Sequence, residues 1–275
     1  MICPGCGRPG SFVGVKDGYK FERCLCGTLY VPDRSPDYDY VGGSGCVYDY
    51  VAPDVSMKSL TTLVQDLERF RQTSRWLDMG FGRGELLAIC QENGWDSYGT
   101  ELAQKSLEIG RAKGWHVSES AANFSKDFDV VTMNGFIEHL PDPGSLIAEA
   151  KALLRRGGVL WISTPNARSL NGRVLGLEWN AVEPPQHLII WSAEGIRLAL
   201  ERFGFRVIRV ETTGISPYGI IARFTRKQRS GADHDTMDAR LNAAASRFRA
   251  KTLINRALSL VQMGDTLKIL AMTPP

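Results

Sequence analysis

From residue 75 onward the chain alternates between two hydrophobic periods. Short apolar runs are followed by stretches in which apolar positions recur every three or four residues. The first kind predicts strands at 75–79, 97–101, 115–117, 128–133, 159–163 and 205–211. The second predicts helices at 85–93, 103–113, 142–154 and 193–203. Strands alternating with helices imply right-handed βαβ crossovers on a parallel sheet, an α/β fold whose ligands bind beyond the carboxyl ends of the strands. An amphipathic helix over 55–71 leads into this region.

The flanks have a different texture. Residues 1–40 show no helical period, are rich in Gly, Pro and aromatic residues, and predict short strands at 11–15, 20–23 and 28–31. So small a segment cannot bury enough apolar surface to fold without a staple. Residues 41–55, with their Gly-Gly-Ser-Gly run, read as a linker, and 56–275 as the main domain. The alternation breaks at 213–263, where Met237, Leu241, Ala245 and Phe248 fall on one helical face. A last strand is predicted at 266–272.

Composition excludes several classes. Of the 275 residues, 43% are apolar and 23% charged, close to the globular average rather than a disordered one. No apolar run reaches the ~18 residues of a membrane span, and the start Met-Ile-Cys-Pro-Gly-Cys-Gly lacks a basic and then apolar leader, so a cytoplasmic location is expected. Net charge is +3, too small to argue for nucleic acid. It is unevenly spread: nine basic residues against three aspartates between 223 and 256 leave the remainder of the chain net acidic. Such a segment suits a solvated helical face, an anionic substrate or weak contact with an anionic membrane surface.

Four of the six cysteines, Cys3, Cys6, Cys24 and Cys26, lie within the first 26 residues. Cys-Pro-Gly-Cys-Gly places two thiolates on one turn, and Arg-Cys-Leu-Cys-Gly supplies a second pair. Four thiolates make a closed tetrahedral site for a structural Zn²⁺. The second pair has one intervening residue where two are usual.

The main chemical signal is Trp-Leu-Asp-Met-Gly-Phe-Gly-Arg-Gly-Glu-Leu-Leu, residues 76–87. A strand ends, glycines follow at 80, 82 and 84, and a helix begins, bringing backbone N–H groups against a ligand. A dinucleotide fingerprint needs glycine at position 85, where Glu85 stands, and a phosphate-binding loop needs Lys-Ser/Thr after the last glycine. Glu85 would repel pyrophosphate but not a ligand without phosphate. Glu101, at the end of the next strand, is placed to accept hydrogen bonds from a ribose diol.

This loop and its second-strand acid resemble class I S-adenosylmethionine-dependent methyltransferases over roughly residues 56–275. Further matches are Phe-Asp-Val-Val-Thr-Met-Asn-Gly-Phe-Ile-Glu-His-Leu-Pro-Asp-Pro (128–143), Leu-Leu-Arg-Arg-Gly-Gly-Val-Leu-Trp-Ile-Ser-Thr-Pro-Asn (153–166), Pro-Pro-Gln-His-Leu (184–188), Phe-Gly-Phe-Arg-Val (203–207) and Gly-Asp-Thr-Leu (264–267). The resemblance implies a Rossmann-like, mostly parallel seven-stranded sheet, with a small amino-terminal zinc-ribbon-like module and a helical insertion before the last strand. It implies that Asp78, Gly80, Gly82 and Gly84 surround the methionyl part of S-adenosylmethionine. It implies that Glu101, with Leu102 beside it, takes the ribose hydroxyls, that Asn134 lies beside the cofactor, and that residues near Ser120 border the adenine. The cysteine module joined to this domain resembles bacterial enzymes acting on saccharides or other small metabolites.

Methyl transfer is an in-line displacement governed by alignment, and a hydroxyl acceptor must also lose its proton, which a His can assist. His139, after the 128–133 strand, and His187, in Pro-Pro-Gln-His-Leu, are the candidate bases. His116 and His234 read as structural or solvated, Glu138 as a loop tether, and residues 168–179 as a lid that Trp179 either completes or anchors. The leading expectation is O-methylation of a small hydroxylated metabolite or saccharide. The rivals are a ribosomal RNA methyltransferase with a zinc finger and a non-catalytic scaffold that binds zinc and cofactor.

Overall fold

A computed structural model of the chain describes residues 2–33, 54–215, 220 and 259–275. The expected basic helix, with His234 and Cys46, lies outside these residues. The chain forms two compact units. One comprises 1–34, 164–198 and 210–268; the other comprises 35–163, 199–209 and 269–275.

In chain order the elements are strands β1 (Ser11–Lys16), β2 (Tyr19–Arg23) and β3 (Leu29–Tyr30), helix α1 (Asp54–Leu67), β4 (Arg75–Met79), α2 (Glu85–Glu92), β5 (Asp96–Thr100), α3 (Gln104–Ala112), β6 (His116–Ser118), β7 (Phe128–Asn134), α4 (Pro143–Leu153), β8 (Leu154–Pro165), α5 (Leu170–Leu175), β9 (Ile189–Ile190), α6 (Ala193–Arg202), β10 (Arg206–Thr213) and β11 (Thr266–Met272). Seven strands form one sheet in the order β10-β11-β8-β7-β4-β5-β6. The pairs β4–β5, β4–β7, β5–β6 and β7–β8 are parallel. This is the expected Rossmann-like architecture, and its order reverses between β7 and β4, where such sheets open a ligand crevice.

The central strands form where the chain can be buried on both faces. Residues 128–133 of β7 are all buried, and only Asn134 at its carboxyl end is exposed. Beside it, Trp76 of β4 packs edge-on against Trp95 at a centroid distance of 5.1 Å. These rings join Leu63, Val64 and Leu67 of α1 and Leu86 and Ile89 of α2 in a single apolar cluster. The entry to β4 is pinned electrostatically. Asp129 Oδ2 accepts the N–H groups of Gln72, Thr73 and Ser74 at 2.8–2.9 Å, and Oδ1 accepts from Arg155 Nε at 2.5 Å. Asp129 is fully buried, so its charge is tolerated because every contact is a donor. Helix α4 starts at a capped Asp142, whose carboxylate accepts from Gly144 N and Ser145 N, with Pro143 in the first turn.

The other unit contains an antiparallel sheet in the order β1-β2-β3-β9. The β1–β2 hairpin turns at Asp17-Gly18, both at positive φ, a pairing that suits the right-handed twist of the flanking strands. Strand β9 is absent from the sequence reading. It pairs with β3 as Leu29↔Ile190 and Tyr30↔Ile189, so the sheet whose strands flank the cysteine turns is completed by residues far along the chain. Among the described residues, no helix is long and apolar enough to cross a membrane.

Candidate functional site

The glycine loop joins β4 to α2. Gly80, Gly82 and Gly84 have φ of +73°, +55° and +80°, a region that strains any L side chain. Their surroundings differ. A Cβ on Gly80 would lie 2.3 Å from the Phe136 ring and one on Gly84 2.2 Å from Trp115, whereas one on Gly82 would meet nothing within 4 Å. The outer glycines are therefore required by packing, and the middle one faces open space. Thr100 O anchors the loop by accepting from Gly80 N (2.9 Å) and Phe81 N (3.2 Å). Gly84→Ala is expected to lower the unfolding temperature markedly. Gly82→Arg should cost only about 1–2 kcal/mol of backbone strain, yet remove S-adenosylhomocysteine binding in a calorimetric titration. Equal loss of fold in both variants would remove the distinction.

Three carboxylates surround this loop. Asp78, the penultimate residue of β4, is 3% exposed and accepts a 2.6 Å hydrogen bond from Thr132 Oγ1. Burial pushes its carboxyl up to about 7; the Thr132 bond opposes this, and the charges of Glu101 and Glu85 add to it. Glu101 follows β5 and folds back onto the loop: Oε2 accepts from Gly82 N at 3.0 Å, and Oε1 from Leu102 N and Ala103 N at 2.8 and 3.3 Å. A carboxylate has about four lone-pair positions, so with three taken about one remains for a hydroxyl donor. Leu102 is half-exposed beside it. Asn134 ends β7 opposite Ser163 of β8 and is exposed. Ser120 caps a short 3-10 turn, Ala121–Asn123, by accepting from Ala122 N. Asp78, the three glycines, Glu101 and Asn134 thus stand in one unit, at or just beyond the carboxyl ends of β4, β5 and β7.

The candidate bases belong to different units. His139 ends a 3-10 turn (Ile137–His139), and its Nε2 meets Gly135 O at 3.0 Å. His187 Nδ1 meets Ala181 O at 2.7 Å. A carbonyl only accepts, so the proton sits on Nε2 of His139 and Nδ1 of His187, which makes the opposite ring nitrogen the basic one in each. His116 stacks on Tyr98 at 4.6 Å in keeping with a structural role. Trp179 is buried, and α5 is tied down by Asn171 Nδ2 donating to Asp265 Oδ2 at 2.8 Å, so residues 168–179 are anchored.

The four amino-terminal cysteines converge within the other unit. Their Sγ atoms all lie within 4.8 Å of one another, Cys3–Cys26 at 3.6 Å and Cys6–Cys24 at 3.1 Å, with no disulfide. Tetrahedral Zn–S bonds of ~2.3 Å require S···S separations just under 4 Å, so the donor set fits zinc. The one-residue spacing of the second pair is accommodated by a turn in which Gly27, at φ +94°, donates to Cys24 O at 2.8 Å. Hydrogen bonding from the Cys3 thiol, and then from Thr28, draws Cys26 down to about 4.

Sequence reasoning missed Thr132, Phe136 and Trp115. Thr132 had a signal, being a hydroxyl in an otherwise apolar strand; the two rings lie far from the glycines in sequence and had none.

A family model described as "Methyltransferase domain" matches residues 55–210. Over 129 residues the chain is 33% identical to a ubiquinone biosynthesis O-methyltransferase of Bordetella avium, covering 42% of this chain and 54% of that one. Over 118 residues it is 36% identical to the protein of that name from Bordetella pertussis, covering 38% and 49%. The chain thus spans about half the length of the curated relatives it matches. Among solved structures, a putative methyltransferase from Bacillus halodurans aligns with a TM-score of 0.53 at 17% identity, over 79% of this chain and 100% of that one. A SAM dependent methyltransferase from Archaeoglobus fulgidus aligns with a TM-score of 0.52 at 20% identity, over 79% and 94%.

Proposed function

Because the chain belongs to the methyltransferase-domain family, we propose that it transfers a methyl group from S-adenosylmethionine to a hydroxyl of a small metabolite or saccharide. The observation that carries this reading is the charge of the glycine loop. The charges of Glu101 and Glu85 both act on Asp78 there, Arg83 pairs with Glu85 at 3.4 Å and so offsets one of the three carboxylates, and a Cβ on the middle glycine would meet nothing within 4 Å. That environment disfavours a pyrophosphate and favours a cationic nucleoside. S-adenosylmethionine fits, with its sulfonium and ammonium charges and its ribose diol, and when bound it supplies an electrophilic methyl group.

The chain's own residues then have distinct tasks. Asp78 offers a buried carboxylate to the cationic end, Glu101 accepts from a ribose hydroxyl, Leu102 offers an apolar contact, and Asn134 borders the cleft. His139 follows β7 in the same unit and takes the acceptor's proton on Nδ1; His187 is the second candidate for that task. The relatives named for ubiquinone O-methylation support oxygen as the methylated atom. Cys3, Cys6, Cys24 and Cys26 hold a structural Zn²⁺, since all four positions are taken by sulfur and none is left open for chemistry.

Calorimetric titration with S-adenosylhomocysteine is expected to show one site per chain. With an accepted substrate, His139→Gln should lower kcat roughly 10²-fold or more and flatten its rise with pH, while leaving S-adenosylhomocysteine affinity unchanged. If that variant keeps the wild-type pH profile and His187→Gln loses it, the proton belongs to His187. A folded, zinc-loaded protein that binds no S-adenosylhomocysteine would overturn the enzymatic reading.

A further inference from the structure

A cleft of about 500 Å³ lies in the unit that carries the cysteines, lined by Arg23, Ala167, Arg168, Gly172, Arg173 and Gly176. Its volume falls within the ~300–1,000 Å³ of small-molecule sites. Three guanidinium groups border it. Among the described residues, none of the three is within ion-pair distance of a carboxylate. Glu194 senses Arg168, but its carboxylate is bonded to Arg197 at 2.8 and 3.0 Å.

The arginines are positioned without being used up. Arg23 is half-buried, and its NH1 reaches Gly27 O at 3.3 Å and Ala167 O at 3.4 Å. Arg168 NH2 reaches Leu25 O at 3.4 Å, and Arg173 Nε donates to Arg168 O at 3.0 Å. Each guanidinium has five N–H donors, so most donors in the cluster remain for a ligand. Two of the anchors, Leu25 O and Gly27 O, belong to the turn that bears Cys24 and Cys26. Gly27 is needed there, because a Cβ would fall 2.2 Å from Arg168 Nε. Three like charges thus border one cleft with no carboxylate in ion-pair range among the described residues. Such a cluster is retained at an electrostatic cost that an oxyanion would remove.

We propose that Arg23, Arg168 and Arg173 form a binding site for the phosphate or diphosphate group of a small molecule. Guanidinium forks match phosphate oxygens bidentately, the unopposed charge calls for a ligand of two or more negative charges, and the cleft exceeds what a bare ion would fill. The site involves none of the residues assigned to the cofactor and stands whether or not the acceptor is a hydroxyl.

The test is calorimetry on the full, zinc-loaded chain with inorganic phosphate, pyrophosphate and citrate. Pyrophosphate should saturate one site per chain. Arg168→Gln and Arg173→Gln, both at exposed positions, should each weaken it roughly tenfold, whereas Arg111→Gln, an equal charge loss on exposed α3, should have little effect. Unsaturable binding, or equal weakening by Arg111→Gln, would reduce the cluster to general charge and overturn the proposal. Citrate binding as tightly as pyrophosphate through the same arginines would overturn the phosphate assignment. Zinc content and S-adenosylhomocysteine affinity, measured on the same variants, should not change. Loss of S-adenosylhomocysteine binding by the wild type would sink the methyl-transfer reading and leave the arginine result standing.

Discussion

Asp78→Asn is expected to stabilise the protein above neutral pH while weakening its hold on S-adenosylmethionine. The wild-type carboxyl titrates at about 7 in the folded state against 3.8 when unperturbed, chiefly because of burial. Below about pH 4 the group is protonated in both states and costs nothing. Between the two values the unfolded chain ionises and the folded one does not, so stability falls as pH rises, and above about 7 the full penalty is present. A shift of this size in a fully buried group corresponds to about 4 kcal/mol. Asparagine carries no such penalty and retains an oxygen for the Thr132 hydroxyl. The variant's advantage in thermal unfolding should therefore grow from near zero below about pH 4 to several degrees at pH 8. Affinity should fall roughly tenfold to a hundredfold, the worth of a charged hydrogen bond, and wild-type binding should tighten as pH rises through 7. A variant less stable than wild type at pH 8, with unchanged affinity, would remove Asp78 from the site.

The second large effect concerns the cysteines. One Zn²⁺ per chain is expected in the purified protein, measured by a colorimetric chelator after denaturation. Cys26→Ser should lose the metal and lower the unfolding temperature by on the order of 10 °C. Cys90→Ala, in a buried thiol of the other unit's core, should keep its metal. The loss should also travel along the sheet. Ser192 Oγ donates to Cys26 O at 2.7 Å and accepts from Gly195 N at 2.9 Å, and Val31 N donates to Leu188 O at 2.9 Å. Faster amide exchange at residues 29–31 and 189–196 is therefore expected in the variant. A metal-free protein with unchanged exchange would dismiss the zinc assignment.

The large sheet was legible because its strands are extreme cases. β4 and β11 fall on the expected residues, and β7 on those expected plus Asn134, since a run buried on both faces leaves an apolar stretch that needs no partner to be recognised. The glycine loop was legible for a similar reason: strand, alternate glycines and helix lie contiguously. What escaped was everything made by distant pairing. Two-residue β9 is too short to show a period, and α5, with a single turn and a half, reads as loop. Arg23 is separated from Arg168 and Arg173 by most of the chain, so no local pattern could gather them. Glu101 was placed at the right strand end, but its bond to Gly82 N depends on the loop's positive φ angles and not on spacing.

The pairing of β3 with β9 also sets an order of events during synthesis. The strand that completes the sheet of the cysteine segment leaves the ribosome about 160 residues after β3. At translation speeds of ~5–20 residues per second, the β1–β2 hairpin waits roughly ten to thirty seconds with the edge of β3 unpaired. During that interval the four thiols are the means by which the nascent segment can hold its shape. Early metal capture would then shield an exposed edge from pairing with the wrong strand, a kinetic service separate from whatever zinc adds to the finished fold.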